Sequence, residues 1–358
     1  MTEMNKRDIA DLDVVVVGGG VAGLSAALTL ARARRSVLVV DSGEPRNAPA
    51  SGVHGFLSRD GLAPGELLRA GQEEVTGYGG QIVPDLVTGA RRTGERFVVD
   101  TASGRSYGAR RLLVTTGLVD ELPDVPGLRE LWGRDVLHCP YCHGWEVRDT
   151  PIGVLATGPG AVHQALLFRQ WSADVSVFLH TAGNPAEEQR EQLAARGIAV
   201  VDGEVVGLDV DDDRLTGVRL ASGTRVPVRA LAVAPRFEAR GDVLSGLGLA
   251  GVEHPLGVGS YVESDASGFT GVPGVWVAGN VTDLMAGVAV AAASGVQAAA
   301  AINADLVTAD TAAAVARRAA TQDQTFSPAA EAANCERVVG DTRPGIEALL
   351  RPGHRSHD

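Results

Sequence analysis

At 358 residues, 45% of them hydrophobic, the chain is long for one core, so two domains of ordinary size are expected. A net charge of −12 with no basic run to offset it excludes a nucleic-acid backbone as partner. There is no stretch of ~18 consecutive apolar residues and no signal-peptide core in residues 1–8, so no membrane partner is expected. Three cysteines in such a chain fit a reducing compartment, the cytoplasm.

Residues 12–17 form a short apolar run, as a strand buried on both faces requires. Gly18-Gly19-Gly20-Val21-Ala22-Gly23 follows, then a helix through Ala33 with Val21, Leu24 and Leu28 at helical spacing, then a strand over residues 36–41. This is a βαβ unit with G-x-G-x-x-G at its first turn. Gly18 makes the turn, Gly20 lets a pyrophosphate approach the backbone, and Gly23 lets helix lie close on strand; Val21 and Ala22 belong to the same turn. Asp41, ending the second strand, can accept hydrogen bonds from a ribose 2′-OH. A plain tight βα turn is the alternative reading.

Residues 46–64 are Gly- and Pro-punctuated loop containing His54-Gly55-Phe56-Leu57-Ser58-Arg59-Asp60-Gly61. His54 and Arg59 either face a cofactor or are solvated. A helix is expected over about residues 64–77, then a hairpin from residues 96–100 turning at Ser103-Gly104. Residues 111–114 read as a further buried strand, closed by Thr115, Thr116 and Gly117. Pro123 and Pro126-Gly127 make a stiff connection.

Next comes His138-Cys139-Pro140-Tyr141-Cys142-His143-Gly144-Trp145-Glu146. The Cys-x-x-Cys spacing lets two thiols meet across one helical turn, and a Cys at a helix N-terminus has its pKa lowered below ~8.5. The flanking histidines supply a positive neighbour or take a proton near neutral pH. Half a zinc ribbon and a structural disulfide share the spacing. A ribbon needs a second ligand pair, however, and Cys335 stands alone, so no metal is expected and a redox dithiol is favoured.

Residues 152–163 repeat the first pattern, strand then Gly158-Pro159-Gly160 then helix. A strand at 174–179, a hairpin from residues 217–220 turning at Ser222-Gly223, and a strand at 230–234 follow. The order βαβ, hairpin, strand therefore occurs twice, an internal duplication that implies two dinucleotide-binding folds. After Gly251 the pattern changes: residues 275–277 read as a strand ending at Gly279-Asn280. A long Ala/Gly/Val helix is expected over about residues 285–306, and an Ala-rich one from Thr308 to about Ala320. The remainder, with Pro328, Pro344 and Pro352, reads as a loose extension, and its Cys335 as an incidental thiol rather than a redox relay.

Over roughly residues 11–320 the chain resembles the thioredoxin-reductase-like, FAD-dependent pyridine nucleotide-disulfide oxidoreductases. The matching features are the first glycine turn with Asp41, Thr115-Thr116-Gly117 before a Pro-rich crossover, Cys-x-x-Cys ahead of a second Gly-rich turn, and Trp276-Val277-Ala278-Gly279-Asn280. The resemblance implies an α/β fold of two Rossmann-like, three-layer (ββα) dinucleotide-binding domains, the FAD domain split by an inserted NAD(P)-type domain. The bounds are 11–120 and 249–320 for the two FAD halves, 121–248 for the inserted domain carrying the cysteines, and 321–358 for an extension. It implies FAD as cofactor, held by Gly18, Gly20, Val21, Ala22, Gly23, Asp41, Arg46, Asn47, His54, Thr116, Gly117, Gly279 and Asn280, and a homodimer.

Within that group, Cys-Pro-Tyr-Cys-His-Gly-Trp-Glu and His54-Gly55-Phe56-Leu57-Ser58-Arg59-Asp60-Gly61 resemble the dithiol oxidases that close the disulfides of gliotoxin-, holomycin- and romidepsin-type natural products. Ordinary thioredoxin reductases have Asp where His143 stands. Pro159 removes a backbone donor from the second phosphate turn, and His163 is large where close packing is needed. Residues 180–188 hold no arginine and two carboxylates, so NADPH is expected to bind poorly. Asn280 replaces the family's usual Asp and can still bond a ribityl hydroxyl.

The resemblance implies a mechanism: a small-molecule dithiol attacks the Cys139–Cys142 disulfide, Cys139 forms the mixed disulfide, and Cys142 passes electrons to flavin and on to O2, giving H2O2. His143 and His138 are candidate bases; a satisfied structural hydrogen bond is the alternative for each. Glu146 orients a histidine or caps the next turn, and Trp145 reads as packing. The rival functions are an NADPH-dependent reductase acting on a thioredoxin-like protein and a non-catalytic flavin redox sensor.

Overall fold

The structure, a computed structural model, describes residues 11–158, 160–325 and 327–339; the readings of residues 1–8, Pro159, Pro344 and Pro352 fall outside them. The chain forms two units, the first ending at Asn303 and the second beginning at Ala304.

The first block runs β1 (Asp11–Val17), α1 (Val21–Arg32), β2 (Val37–Asp41), α2 (Pro64–Gly77), β3 (Gln81–Pro84), β4 (Val87–Thr93), β5 (Arg96–Thr101) and β6 (Ser106–Val114). Its sheet has the order β3-β2-β1-β6-β5-β4. The first four strands are mutually parallel, and β5 and β4 continue antiparallel. Val14 to Val17 are all buried because β1 lies between two parallel neighbours with both faces covered. The return arm of the hairpin and the buried strand at 111–114 are one strand, Ser106 to Val114, which runs through Gly108 without a break. Its first half pairs with β5, and its second half continues along β1.

The second block follows two short crossover elements, β7 (Leu118–Glu121) and α3 (Leu128–Leu131). It runs β8 (Val136–Leu137), α4 (Pro140–His143), β9 (Ile152–Leu155), α5 (Ala161–Phe168), β10 (Val175–Phe178), α6 (Glu187–Ala195) and β11 (Ala199–Val201). An antiparallel set of β12 (Val205–Asp211), β13 (Arg214–Leu220) and β14 (Arg225–Val226) precedes β15 (Ala230–Val233). The parallel sheet is ordered β11-β10-β9-β15-β8, with the meander β12-β13-β14 as a separate layer.

The chain returns through β16 (Arg236–Ala239), β17 (Val252–Glu253) and β18 (Gly259–Tyr261) to β19 (Val275–Val277), which pairs in parallel with β6. The first sheet is thereby completed by a strand from the far side of the second block, so the outer fold is split around an inner one. The core of β3-β2-β1-β6-β19 matches β11-β10-β9-β15-β8 strand for strand. This is the duplicated Rossmann-like architecture that the repeated pattern implies. The outgoing and returning crossovers pair with each other, β7 antiparallel to β16, with Asp120 opposite Phe237.

Two C-terminal expectations are corrected. The helix begins at Val288 and continues without a break as α7 (Val288–Thr325), which contains the boundary between the units. The supposed loose extension then carries a further helix, α8 (Pro328–Val339). Pro328 stands at the first helical position, where its missing N–H costs nothing; exposed Cys335 lies on this helix.

Residues 288–320 of α7, with mean hydropathy 1.3, are long and apolar enough by length and composition to cross a membrane, which the sequence reading did not anticipate. In the first unit this helix is apolar for another reason. Ala291, Ala298, Ala299 and Ile302 are buried, and a Cβ on Gly295 would lie 2.0 Å from the Ala22 carbonyl of α1. Small residues let the two helices approach closely.

Candidate functional site

The glycine turn between β1 and α1 is shaped by what would collide with a side chain. Gly18 has φ +102°, and a Cβ there would lie 2.6 Å from the Thr115 carbonyl oxygen; one on Gly23 would lie 2.0 Å from that of Gly18. The Thr115 hydroxyl donates to the Val17 and Gly18 carbonyls at 3.0 and 2.8 Å, tying the end of β6 to the turn. Asp41 fixes the other side, its carboxylate accepting from Gly19 N–H at 2.7 Å and Gly43 N–H at 3.1 Å.

Space above Gly20 is open, and Gly20 caps α1 without any side-chain hydrogen bond. The first N–H groups of α1, at Val21 and Ala22, therefore face an open cradle at the positive end of a helix. That arrangement suits a pyrophosphate, and the residues present fit FAD.

The end of β19 meets the same turn. Gly279 has φ +73°, and a Cβ on it would sit 2.9 Å from that of Ala22. The side-chain amide of Asn280 donates to the Asp283 and Ala286 carbonyls, both at 2.9 Å. Its two N–H groups thus hold the loop before α7, and its oxygen is the acceptor left for a ligand hydroxyl. Thr116 donates to the Arg240 carbonyl at 2.6 Å, and Arg240 N–H to the Gly117 carbonyl at 2.9 Å, locking the two crossovers together.

Arg46 is engaged elsewhere. It makes a bidentate pair with Asp120 at 2.7 and 2.6 Å and lies 5.4 Å over the Phe237 ring. Asn47 is half-buried, and its carbonyl accepts from Ala50 N–H at 3.0 Å. Asp120 and Phe237 carried no sequence signal, since neither belongs to a motif and only the pairing of β7 with β16 brings them together.

Cys139 and Cys142 form a disulfide with their Cα atoms 5.2 Å apart. Cys139 caps α4, Pro140 occupies the first helical position, and Cys142 N–H donates to Cys139 Sγ at 3.1 Å. The helix end is packed tightly: a Cβ on Gly144 would lie 2.7 Å from the Trp171 ring. Gln164, buried on α5, donates to the His138 carbonyl at 2.9 Å and so fixes the backbone ahead of Cys139. Trp145, expected to pack, is 65% exposed and carries Arg148 at 4.0 Å from its ring.

The two flanking histidines differ. His138 stands edge-on to Phe237 at 5.2 Å; burial, helped by Arg46 and opposed by Asp120, lowers its pKa to about 4. The ring nitrogens of His143 are both buried without a hydrogen-bond partner. Burial lowers its pKa below the usual imidazole value, the Glu146 charge opposing and His54 adding. Both rings are neutral at pH 7. His54 is brought to this cluster rather than left in solvent, with Nε2 3.4 Å from Glu146 and Nδ1 3.4 Å from Asp60. Glu146 therefore pairs with a histidine, though one far away in sequence. Among the described residues, no group of three or more His, Cys, Asp or Glu side chains is placed to hold a metal ion.

Thioredoxin reductase tcpT of Claviceps purpurea is 37% identical over 180 residues, 48% of this chain and 56% of the relative. The chain thus spans about half the length of that relative. Thioredoxin reductase sirT of Leptosphaeria maculans is 30% identical over 318 residues, 84% of this chain and 96% of the relative. The crystal structure of HlmI superposes with a TM-score of 0.82 at 48% identity, covering 89% of this chain and 98% of that one. The model of the pyridine nucleotide-disulphide oxidoreductases matches residues 12–295. The chain belongs to the pyridine nucleotide-disulphide oxidoreductase family, enzymes of thiol–disulfide chemistry whose cofactor is FAD.

Proposed function

We propose that the chain is an FAD-dependent dithiol oxidase that closes a disulfide in a small-molecule dithiol and delivers the electrons to O2 as H2O2. The observation that carries this reading is His143: a neutral imidazole with no hydrogen-bond partner, directly after the disulfide, where the ordinary reductases it resembles have an acid. A ring already bonded on both sides could not take a proton; both nitrogens of this one are uncommitted, and substrate entry has to uncover one of them.

In the reaction, His143 removes the proton from the first substrate thiol, a contribution worth roughly 10²–10⁴-fold in rate. The thiolate attacks Cys139 Sγ, the Cys139–Cys142 bond breaks, and Cys142 leaves as a thiolate. The second substrate thiol, deprotonated in turn, attacks the substrate sulfur of the mixed disulfide. Cys139 departs as a thiolate, and the product leaves with its own S–S bond. The Cys142 N–H directed at Cys139 Sγ favours that departure. Two protons have been released and two electrons now rest on the cysteine pair. Bound FAD would take those two electrons and return them to O2.

A reductase driven by NADPH is the second reading, favoured by the open space over Gly158 and Gly160 in the second glycine turn. Against it, Nδ1 of His180, just after β10, accepts from Val205 N–H at 3.1 Å. The nearest arginine beyond the carboxylates, Arg190, is paired with Glu187 at 2.8 Å. Neither offers a cation for a 2′-phosphate.

By resemblance the enzyme acts as a cytoplasmic homodimer. The test is oxygen uptake and peroxide release against a panel of small dithiols with and without NADPH. Sustained peroxide formation without NADPH is expected. Turnover only with NADPH and a protein disulfide would make it a reductase, and cessation after one equivalent would make it a sensor.

A further inference from the structure

Each reaction cycle removes the S–S bond that ties Cys139 to Cys142, so contacts other than that bond must keep the opened thiols in register. We propose that Arg46, paired with Asp120, is a positioning residue for the redox pair, acting through Phe237 on His138, the residue before Cys139. This rests on the redox cycling of the two cysteines in the dithiol-oxidase reading.

Segments far apart in sequence meet at this point. Arg46 lies in the loop after β2, and its guanidinium donates twice to the Asp120 carboxylate of β7, at 2.7 and 2.6 Å. β7 pairs with β16 so that Asp120 stands opposite Phe237. The same guanidinium lies 5.4 Å over the buried Phe237 ring, and the His138 ring stands edge-on to that ring at 5.2 Å. Bidentate pairing fixes a guanidinium's orientation as well as its charge, so the place of Arg46 over Phe237 is set. Two further contacts complete the hold. The Gln164 amide donates to the His138 carbonyl at 2.9 Å. A Cβ on Gly133, just ahead of β8, would lie 2.9 Å from that of Pro49, which seats the Arg46 loop near the start of the strand leading to His138.

In the oxidised form the S–S bond itself keeps the two Cα atoms 5.2 Å apart. In the dithiol form only the single turn of α4 and the anchors on His138 do so. Releasing an anchor adds conformational freedom to the dithiol and little to the disulfide, which lowers the effective concentration of one thiol at the other. Freedom at about one backbone residue corresponds to ~10-fold in the equilibrium, or ~30 mV for a two-electron couple. A contact that only stabilises the fold acts on both forms alike and leaves their ratio unchanged.

Holoprotein equilibrated anaerobically in dithiothreitol buffers of varied reduced-to-oxidised ratio reads this directly. Samples are quenched with acid and labelled with N-ethylmaleimide, and labelled Cys139 and Cys142 are counted by mass spectrometry. In the exchange each dithiothreitol gives two electrons and two protons to the S–S bond and closes its own disulfide. Arg46→Leu combined with Asp120→Leu removes the pair without stranding a carboxylate whose side chain is only 8% exposed. This paired variant, and separately Phe237→Leu, should open the disulfide at a ~10-fold lower ratio of reduced to oxidised dithiothreitol. Arg46→Lys keeps the charge without the bidentate bond and should shift the ratio less. In a His138→Gln background the paired variant should add little, because its effect runs through that ring. Flavin content should match the wild type throughout.

An unchanged ratio in the paired variant would overturn the positioning role while leaving the redox role of the cysteines intact. A shift toward disulfide would overturn it as well, making Arg46 a charge acting on the thiolates, and so would equal shifts with and without His138. Loss of flavin from the paired variant would return Arg46 to the cofactor site and overturn the proposal. A wild-type disulfide that dithiothreitol opens at no ratio would instead remove the dithiol-oxidase reading, and the positioning role with it.

Discussion

His138 offers a direct measurement of how firmly the redox segment is held. Its half-buried ring stands against Phe237, with Arg46 close by and Asp120 opposing, and its pKa is lowered from 6.5 to about 4. Between those values the unfolded chain binds a proton at this site and the folded one does not. Stability therefore rises with pH across the window and is lost as pH falls from about 6.5 to about 4. At about 1.4 kcal/mol per pH unit, the whole window is worth about 3 kcal/mol. His138→Gln has no proton to take and should lack this component.

The assay is urea unfolding of the holoprotein, wild type against His138→Gln, at pH 7.5 and 4.5. Whatever the variant costs at the higher pH, the wild type should lose ~2–3 kcal/mol more than the variant on going to the lower one. Parallel losses would mean that the ring is already charged in the folded protein. The site would then be electrostatically open, and the reasoning from burial would fail.

Other substitutions follow from the contacts. Asn280→Asp, although it restores the family's usual residue, replaces two donors with a carboxylate facing the Asp283 and Ala286 carbonyls. It should cost ~2 kcal/mol or more and lower the temperature at which flavin is released; an unchanged release temperature would show that the loop does not depend on the amide. Gly144→Ala drives a methyl into the Trp171 ring and should destabilise by ~1–3 kcal/mol, read by denaturation followed through tryptophan fluorescence. Gly23→Ala places a Cβ against the Gly18 carbonyl and should yield protein with little visible flavin absorbance; normal flavin content would contradict the assigned role of the turn.

Much of the fold was legible because it is built from buried parallel strands and glycine turns, whose signals are local. The runs that became β1, β2, β9 and β15 are continuous apolar segments, and the repeat of their order exposed the duplication. What stayed hidden was less local. β3 and β4 are short or largely exposed edge strands, with Arg91, Arg92 and Thr93 facing solvent, so neither continuous nor alternating apolarity marks them. The pairing of β7 with β16 joins residues more than a hundred positions apart and follows from the chain threading out and back.

In the site, the cysteines, both flanking histidines and the glycine turn could be named from spacing. The Arg46–Asp120 pair, the grip of Gln164 on the His138 carbonyl and the meeting of His54 with Glu146 could not, because each depends on where two distant loops come to rest.

The central claim is that the Cys139–Cys142 pair is the port through which a small dithiol reduces the enzyme's flavin. Anaerobic stopped-flow spectroscopy of the holoprotein tests it most directly, with dithiothreitol and NADPH each offered alone to the wild type and to Cys142→Ser. The account predicts rapid bleaching of the wild-type flavin by dithiothreitol, little by NADPH, and none by dithiothreitol in the variant. Bleaching by stoichiometric NADPH but not by dithiothreitol, or bleaching by dithiothreitol that survives in Cys142→Ser, would contradict it.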